Sequence, residues 1–333
     1  MNVSMSDSGH AGSPGGQKPH AAAPLTETEK AILTSLQIDG RASAQSIGRQ
    51  LGLSQKVVRR TVSHLLNERG IRITTVTVPA LLGYDVMAFA EFKSDGTRSR
   101  RDVAASLAGL DCVDYVVTTT GPSDITANLV CKNLSQLSDV LEKEVKTISG
   151  AELIEVTPYV AFHYQKMGRS RPATRYEDPE APATSLDQFD RDLILALSED
   201  GRTPYKALAE QLGVSESHVR ARLKRLVEAG VVRICAIVDA GILGYGSMLW
   251  GKARVGGAPI LDAVRGLIAI DAVTYVAETT GSFDLMFELT CIDDVELRQA
   301  LDRIRQIPSI TGVIGHLYFD VIYKPMIPRV GTK

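Results

Sequence analysis

No stretch of the chain approaches the roughly 18 consecutive apolar residues that a membrane span needs. The longest candidate, Gly230 to Trp250, is broken by Arg233 and Asp239. No basic segment followed by an apolar run opens the sequence, which argues against secretion and for a cytoplasmic protein. Cysteine is scarce: Cys112, Cys131, Cys235 and Cys291 show no CxxC spacing. That pattern excludes a disulfide scaffold, and reduced, buried thiols are the expectation. Six histidines are scattered without HxH or HExxH spacing, so no metal site is expected. His163 and His316 fall at non-equivalent places on two last strands and read as structural. A glycine-rich phosphate loop and a nucleophile elbow are both missing. Neither a cofactor nor a catalytic residue is expected, and the chain reads as a non-enzyme.

An excess of positive charge is also missing, since the formal net charge is −2. Its distribution says more than its sum. Between Arg41 and Arg72 the basic residues Arg41, Arg49, Lys56, Arg59, Arg60, Arg69 and Arg72 face the single acid Glu68. A second window holds Arg202, Lys206, Arg220, Arg222, Lys224, Arg225 and Arg233 against Glu210, Glu216 and Glu228. Local basic charge in a near-neutral chain is the footprint of a surface that meets phosphate.

Those two windows are copies of each other. LQIDGRASAQSIGRQLGLSQKVVRRTVSHLLNERGIRI, starting at Leu36, returns from Leu197 as LSEDGRTPYKALAEQLGVSESHVRARLKRLVEAGVVRI. The offset of 161 positions still holds at Tyr84 and Tyr245, which end LLGY and ILGY. A duplication of this length fixes the organisation before any local reading. At 333 residues the chain exceeds a single ordinary core. The expected division is a disordered tail 1–24, a helical unit 25–75, a sheet unit 76–165, a linker 166–185, a second helical unit 186–236 and a second sheet unit 237–328. Ser, Gly, Pro and Ala dominate the tail, which cannot bury enough apolar area to offset its ordering entropy. Pro172, Pro179 and Pro182 among charges mark the linker.

In each helical unit the spacing predicts three helices, in the first copy over Thr26–Ile38, Ser43–Leu51 and Ser54–Asn67. Ser54 and Ser215 suit N-caps. Val58, Val62, Leu65 and Leu66, and their equivalents Val219, Leu223, Leu226 and Val227, form one apolar stripe. The sheet units switch period. Strands are predicted over Asp85–Phe92, Val113–Thr120, Asp124–Cys131 and Glu152–Tyr164, with helices over Ser99–Ala108 and Leu134–Thr147. The second copy repeats this with strands over Ser247–Val255, Val273–Thr280, Asp284–Cys291 and Ile310–Tyr323, and helices over Ile260–Ile268 and Val295–Gln306. Strand, helix, strand, strand, helix, strand is the ferredoxin-like order. The fold class is therefore α+β: two tandem units, each a three-helix, winged-helix-like helix-turn-helix domain plus a ferredoxin-like βαββαβ sheet.

Taken together, LDQFDRDLILALSEDGR (from Leu186), LAEQLGVSESHVRARLKRLVEAGVV (from Leu208) and VDAGILGY (from Val238) resemble the leucine-responsive regulatory protein/AsnC (Lrp/AsnC) family of transcription regulators, in a tandem form. The first copy departs at Thr26 and Glu29, which stand for Asp187 and Asp190, and at Gly48, which stands for Ala209. Glycine in a helix costs about 1 kcal/mol relative to alanine, so the first helix-turn-helix is expected to be the weaker or more specialised reader.

The resemblance implies double-stranded DNA as partner. Gly52 and Gly213 would turn the chain, so that the third helix presents its N-terminal face to base edges. By position, the candidate DNA contacts are Ser54, Gln55, Lys56, Arg59, Arg60 and Ser63, then Ser215, Ser217, His218, Arg220 and Lys224. Arg222 and Arg225 are assigned to phosphates. The resemblance further implies a small effector, often an amino acid, at the hairpins Thr119–Asp124 and Thr279–Asp284. Candidate effector residues are Thr120, Gly121, Asp124, Thr280, Gly281, Ser282 and Asp284. Amides and hydroxyls there suit a carboxylate, and an aspartate suits an ammonium. Pro122 removes a donor and Ser123 stands where the second copy has Phe283, so the working pocket is expected near Gly281. A homo-oligomer of two or four chains would match the family's assemblies. Two alternatives stand beside this reading. One is an enzyme like the sirohaem and haem-precursor decarboxylases, which resemble the same two-part architecture. The other is a low-specificity chromatin-organising protein.

Overall fold

The computed structural model describes residues 25–77, 79–166, 174–175, 186–238 and 242–323. The expected tail 1–24 and most of the expected linker 166–185 lie outside the described residues. The first copy runs α1 (Glu27–Ile38), α2 (Ala44–Leu51), α3 (Gln55–Asn67), β1 (Arg72–Val76), β2 (Val86–Ser94), α4 (Arg100–Gly109), β3 (Val113–Thr119), β4 (Ile125–Cys131), α5 (Leu134–Lys143) and β5 (Ala151–Gln165). After the two-residue β6 (Thr174–Arg175) the second copy runs α6 (Gln188–Glu199), α7 (Tyr205–Leu212), α8 (Glu216–Glu228), β7 (Arg233–Ile237), β8 (Ser247–Val255), α9 (Ile260–Ile268), β9 (Val273–Thr279), β10 (Leu285–Cys291), α10 (Asp294–Arg305) and β11 (Ile310–Tyr323). The fold is α+β, three helices and then a βαββαβ sheet in each half. The helix expected over Leu134–Thr147 stops at Lys143, and a separate 3-10 turn takes Val145–Thr147. Strands β1 and β7 are additions that the periodicity did not indicate.

Local chemistry sets the helix ends. Ser54 Oγ accepts from the Val57 amide at 3.3 Å, and Ser215 Oγ from His218 at 3.2 Å. Thr26 with Glu29, and Asp187 with Asp190, form reciprocal capping boxes at the starts of α1 and α6. Gly52 and Gly213 end α2 and α7 in the left-handed region, each at φ 68°, where a side chain would be strained.

The two helical units share one core, in which Ile32, Leu36, Val58 and Leu65 cluster with Leu193, Leu197, Val219 and Leu226. β1 and β7 pair antiparallel with Thr74 opposite Cys235, its own equivalent 161 positions on. A pseudo-twofold axis therefore passes through that pair. About it the contacts are reciprocal. The Gly40 amide donates to Ile234 O and the Gly201 amide to Ile73 O, both at 2.8 Å. A Cβ on Gly40 would sit 2.7 Å from Ile73 Cγ2, and one on Gly201 would sit 2.8 Å from Ile234 Cγ2, so the close approach needs glycine. The Arg41 guanidinium donates to Gly201 O (2.7 Å) and Thr203 O (3.0 Å), while Arg202 donates to Gly40 O (2.7 Å) and Ala42 O (2.9 Å).

The sheets also join across the duplication. The order β2-β4-β3-β11-β8-β10-β9-β5 closes on itself because β5 also pairs with β2. Both long last strands change partner midway. β5 pairs with β2 through Pro158 and with β9 from Tyr159; β11 pairs with β8 through Leu317 and with β3 from Tyr318. Beyond this ring β6 adds to β5 at Tyr164 and Gln165. Strand alternation splits the packing. Ala88, Ala90 and Phe92 face α4 and α5, while Phe89 turns into an aromatic layer with Val117, Trp250, Met286, Tyr115, Tyr159, Tyr275 and Tyr318. The second copy packs Phe287, Leu285 and Leu289 against α9 and α10.

Candidate nucleic-acid interface and effector hairpins

The apolar stripe of α3 (Val58, Val62, Leu65) is buried, which turns Ser54, Gln55, Lys56, Arg59, Arg60 and Ser63 outward, and all six are exposed. No ion pair engages Lys56, Arg59 or Arg60 among the described residues, and α3 itself carries no acid. In α8 the buried Val219, Leu223 and Leu226 likewise expose Ser215, Ser217, His218, Arg220 and Lys224. Here the charge is answered on the helix itself. Arg220 pairs with Glu216 at 2.7 Å and lies over the Tyr205 ring, 4.4 Å from its centroid. Lys224 lies 3.7 Å from Glu228, and His218 meets the edge of Phe189 at 4.9 Å.

Arg222 and Arg225, expected at phosphates, are both engaged by acids of α6 and its cap. Arg222 pairs with Asp187 and reaches Asp190 Oδ1 at 3.3 Å; Arg225 also pairs with Asp190. The cause is Asp190, a fully buried carboxylate that requires cationic partners. The first copy makes a compensated exchange, with Glu29 in place of Asp190 and His64 in place of Arg225, their atoms 3.3 Å apart. The Thr26 backbone amide, then its hydroxyl and the nearby His64, hold the Glu29 carboxyl below the usual range against the opposing effect of burial. Gly48 also gains a reason that propensity did not supply. A Cβ there would stand 2.6 Å from the Leu53 carbonyl oxygen, so the elbow of the first helix-turn-helix is tighter than that of the second. Arg41 and Arg202, although they belong to the basic windows, are committed to the pseudo-twofold interface.

The two hairpins differ more than their sequences suggest. Thr120 is tied to β11, its amide donating to Leu317 O at 2.9 Å and its hydroxyl accepting from Leu317 N at 3.2 Å. Gly121, at φ 107°, lies against His316. Asp124 is buried; it accepts from Ser94 N at 3.0 Å and pairs with Arg100 (2.9 Å) and Lys93 (3.4 Å). Burial alone would raise its pKa, but the Ser94 amide and these two cations hold the carboxyl below the ordinary range. In the second hairpin Thr280, Gly281 and Ser282 are exposed, and nothing lies within 4 Å of a Cβ placed on Gly281. Asp284 accepts from Val255 N at 2.7 Å, as Asp124 does from Ser94. Arg254 donates to Ser282 O at 2.8 Å and lies 5.1 Å from the Phe283 centroid. Each aspartate thus ties its hairpin to the end of a central strand, β2 or β8, and the second hairpin is the open one.

Residues that sequence reasoning passed over include Arg254 beside that hairpin. They also include Glu91 and Lys252, which form a buried group with Ser123 and His316 at the junction of the halves. Ser123 Oγ lies 3.2 Å from Glu91 Oε1 and 3.3 Å from His316 Nδ1, and Glu91 is ion-paired with Lys252. Alternation along β2 and β8 places Glu91 and Lys252 on the inward face, a signal that was present but unused.

Paired three-helix units set on joined ferredoxin-like sheets define a tandem helix-turn-helix protein. Comparison with known proteins agrees. The AsnC-type helix-turn-helix domain matches residues 25–66 and 186–227, and the Lrp/AsnC ligand binding domain matches residues 87–163. The HTH-type transcriptional regulator FL11 of Pyrococcus abyssi is 33% identical over 129 residues, 38% of this chain and 85% of that protein. The HTH-type transcriptional regulator LysM of Saccharolobus solfataricus is 27% identical over 134 residues, 39% of this chain and 89% of that protein. The chain belongs to the Lrp/AsnC family of transcription regulators, with the helix-turn-helix present twice. Its whole-chain fold is similar to the crystal structure of the siroheme decarboxylase NirDL, with a TM-score of 0.62 at 17% identity over 91% of this chain and 94% of that one.

Proposed function

We propose that the chain is a sequence-specific DNA-binding transcription regulator whose activity is tuned by a small effector, an amino acid being the class that fits. The sequence boundaries mark its working units: 25–75 and 186–236 read DNA, while 76–165 and 237–328 take the effector and build a homo-oligomer of two or four chains. The carrying observation is the exposed face of α3, on which Lys56, Arg59 and Arg60 stand without acidic partners among the described residues. Free guanidinium groups reach guanine edges and phosphates. The open hairpin at Gly281 and Ser282, with Arg254 alongside, offers amides and a cation to a carboxylate. Selection from random duplex DNA, with and without amino acids, tests both parts. A consensus is expected, and an amino acid should change its occupancy. Return of no consensus would favour a chromatin-organising protein instead.

A second reading, an enzyme acting on a tetrapyrrole, draws support from the likeness in fold across 91% of the chain. The inward histidine of β11, His316, is however enclosed by Ser123 and Gly121 of the first sheet unit's hairpin and by Glu91. A new absorption band on mixing with an iron tetrapyrrole, and its decarboxylated product, would support the enzyme; no spectral change would set it aside.

A further inference from the structure

At three places in the molecule, residues of the first half meet their own equivalents in the second. Thr74 faces Cys235. Phe89 packs edge-on against Trp250, their centroids 5.5 Å apart. Glu91 is ion-paired with Lys252. Each pair is separated by the repeat length of 161 residues, so each sits at a local pseudo-twofold relation between the halves. A residue in such a place has a special property: were two identical halves to associate, it would face itself.

For most of the interface that would be harmless. Arg41 and Arg202, Gly40 and Gly201, and Ile73 and Ile234 are the same types on both sides, and their contacts are reciprocal. Thr74 and Cys235 are uncharged, and Phe89 and Trp250 are both aromatic. Glu91 and Lys252 are the exception. They are only 4% and 7% exposed, so the charges meet away from water.

The surroundings sharpen the difference. The first half brings Glu91 and, opposite it on β5, Glu155, which lies 3.4 Å from Lys252 Nζ. The second half brings Lys252 with Ile314 in the corresponding place on β11, and His316 nearby. Two first halves would therefore gather four carboxylates with no lysine among them. Two second halves would bury two ammonium groups against each other with no acid. Enclosed like charges cost far more than exposed ones, because little solvent is left to screen them.

We propose that the Glu91–Lys252 pair makes the joining face of each half selective for the unlike half. The first half accepts a second half, from its own chain or from another copy of this chain, and rejects another first half. It follows that association of several chains uses other surfaces, or the reciprocal exchange of unlike halves. The inference is independent of whether the helices read DNA.

The test uses full-length chains. Glu91→Lys and Lys252→Glu each place like charges at this contact, and each should lower the melting temperature by roughly 5 °C or more. The double reversal restores opposite charges and should recover at least half of that loss. The decisive step is to unfold the two single variants together, one carrying an affinity tag, and refold them as a mixture. The introduced lysine of one chain can then meet the introduced glutamate of the other, so the untagged variant should be retained with the tagged one in equal amount. Parent chains mixed in the same way set the background. Should a single variant fail to refold alone, recovery of soluble protein only from the mixture carries the same meaning. The proposal is overturned if either single reversal melts with the parent, if the double reversal recovers nothing, or if the mixed variants do not associate above the parent background.

Discussion

Glu288 shows how one side chain can make the sheet interior sensitive to pH. It lies on β10 among hydroxyls, with Thr274 Oγ1 donating at 2.7 Å and Tyr318 Oη at 3.0 Å. Burial pushes its carboxyl above the usual value of 4.5, and the hydroxyl donors only partly oppose that. Its equivalent Asn128, which donates to Asp114 at 2.7 Å, carries no charge to bury. A group with a raised folded-state pKa contributes stability that is complete below its unfolded value and lost as pH rises through the folded one. Glu288→Gln keeps the shape and removes the ionisation. The variant should therefore melt above the parent at pH 7–8, by roughly 2–4 °C per kcal/mol released, with the gap closing towards pH 4. Melting curves across that range check it, and a variant that melts below the parent at pH 8 would count against the assignment. Asp124 acts with the opposite sign: its depressed pKa stabilises the fold above the ordinary aspartate range and ceases to as pH falls.

At the scale of elements, the helices and sheet strands were legible because each repeats its period over enough residues to bury one face. The caps at Ser54 and Ser215, and the turn glycines Gly52 and Gly213, were legible for the same local reason. Strands β1 and β7 were not. Five residues each, they exist by pairing with one another across 161 positions, and nothing in RITTV or RICAI alone announces that partner. The pairing of Arg222 and Arg225 with Asp190 was hidden likewise, since it depends on how deeply Asp190 is buried. Under the proposed function, the difference between α3 and α8 favours the first helix as the stronger reader. Both present basic side chains, but only α8 neutralises them, through Glu216 and Glu228. Under the proposed function, Arg59→Ala with Arg60→Ala should flatten the dependence of log affinity on log salt by about 0.9 for each phosphate that is no longer neutralised. Glu216→Gln with Glu228→Gln should do the reverse, tightening binding and steepening the slope. Titrations of duplex DNA at several salt concentrations measure both, and slopes that match the parent in both variants would exclude this division of labour.

For the molecule as a whole, packing divides the chain across its duplication rather than along it. Each helical unit completes its core with the other, and each sheet completes the closed ring of strands with the other. The helical core and the layer between the sheets are built from both halves, while each sheet also packs against its own two helices. The reciprocal clamp of Arg41 and Arg202 belongs to the helical core alone: its four hydrogen bonds end on carbonyls of Gly201, Thr203, Gly40 and Ala42. Hydrogen bonds from a charged donor contribute about 1.5–3 kcal/mol each, and the carbonyls left behind would be partly re-solvated. Arg41→Ala with Arg202→Ala should thus destabilise the helical pair by about 3–6 kcal/mol while leaving the closed sheet untouched. Calorimetry should resolve two transitions in the variant, the lower one shifted downward and the upper one at the parent's position. The Glu91→Lys reversal should instead move the sheet transition, because its site lies on β2 facing β8. A single transition displaced equally by the arginine pair and by Glu91→Lys would mean that the two cores melt as one unit, and that the duplication is fused more tightly than its packing indicates.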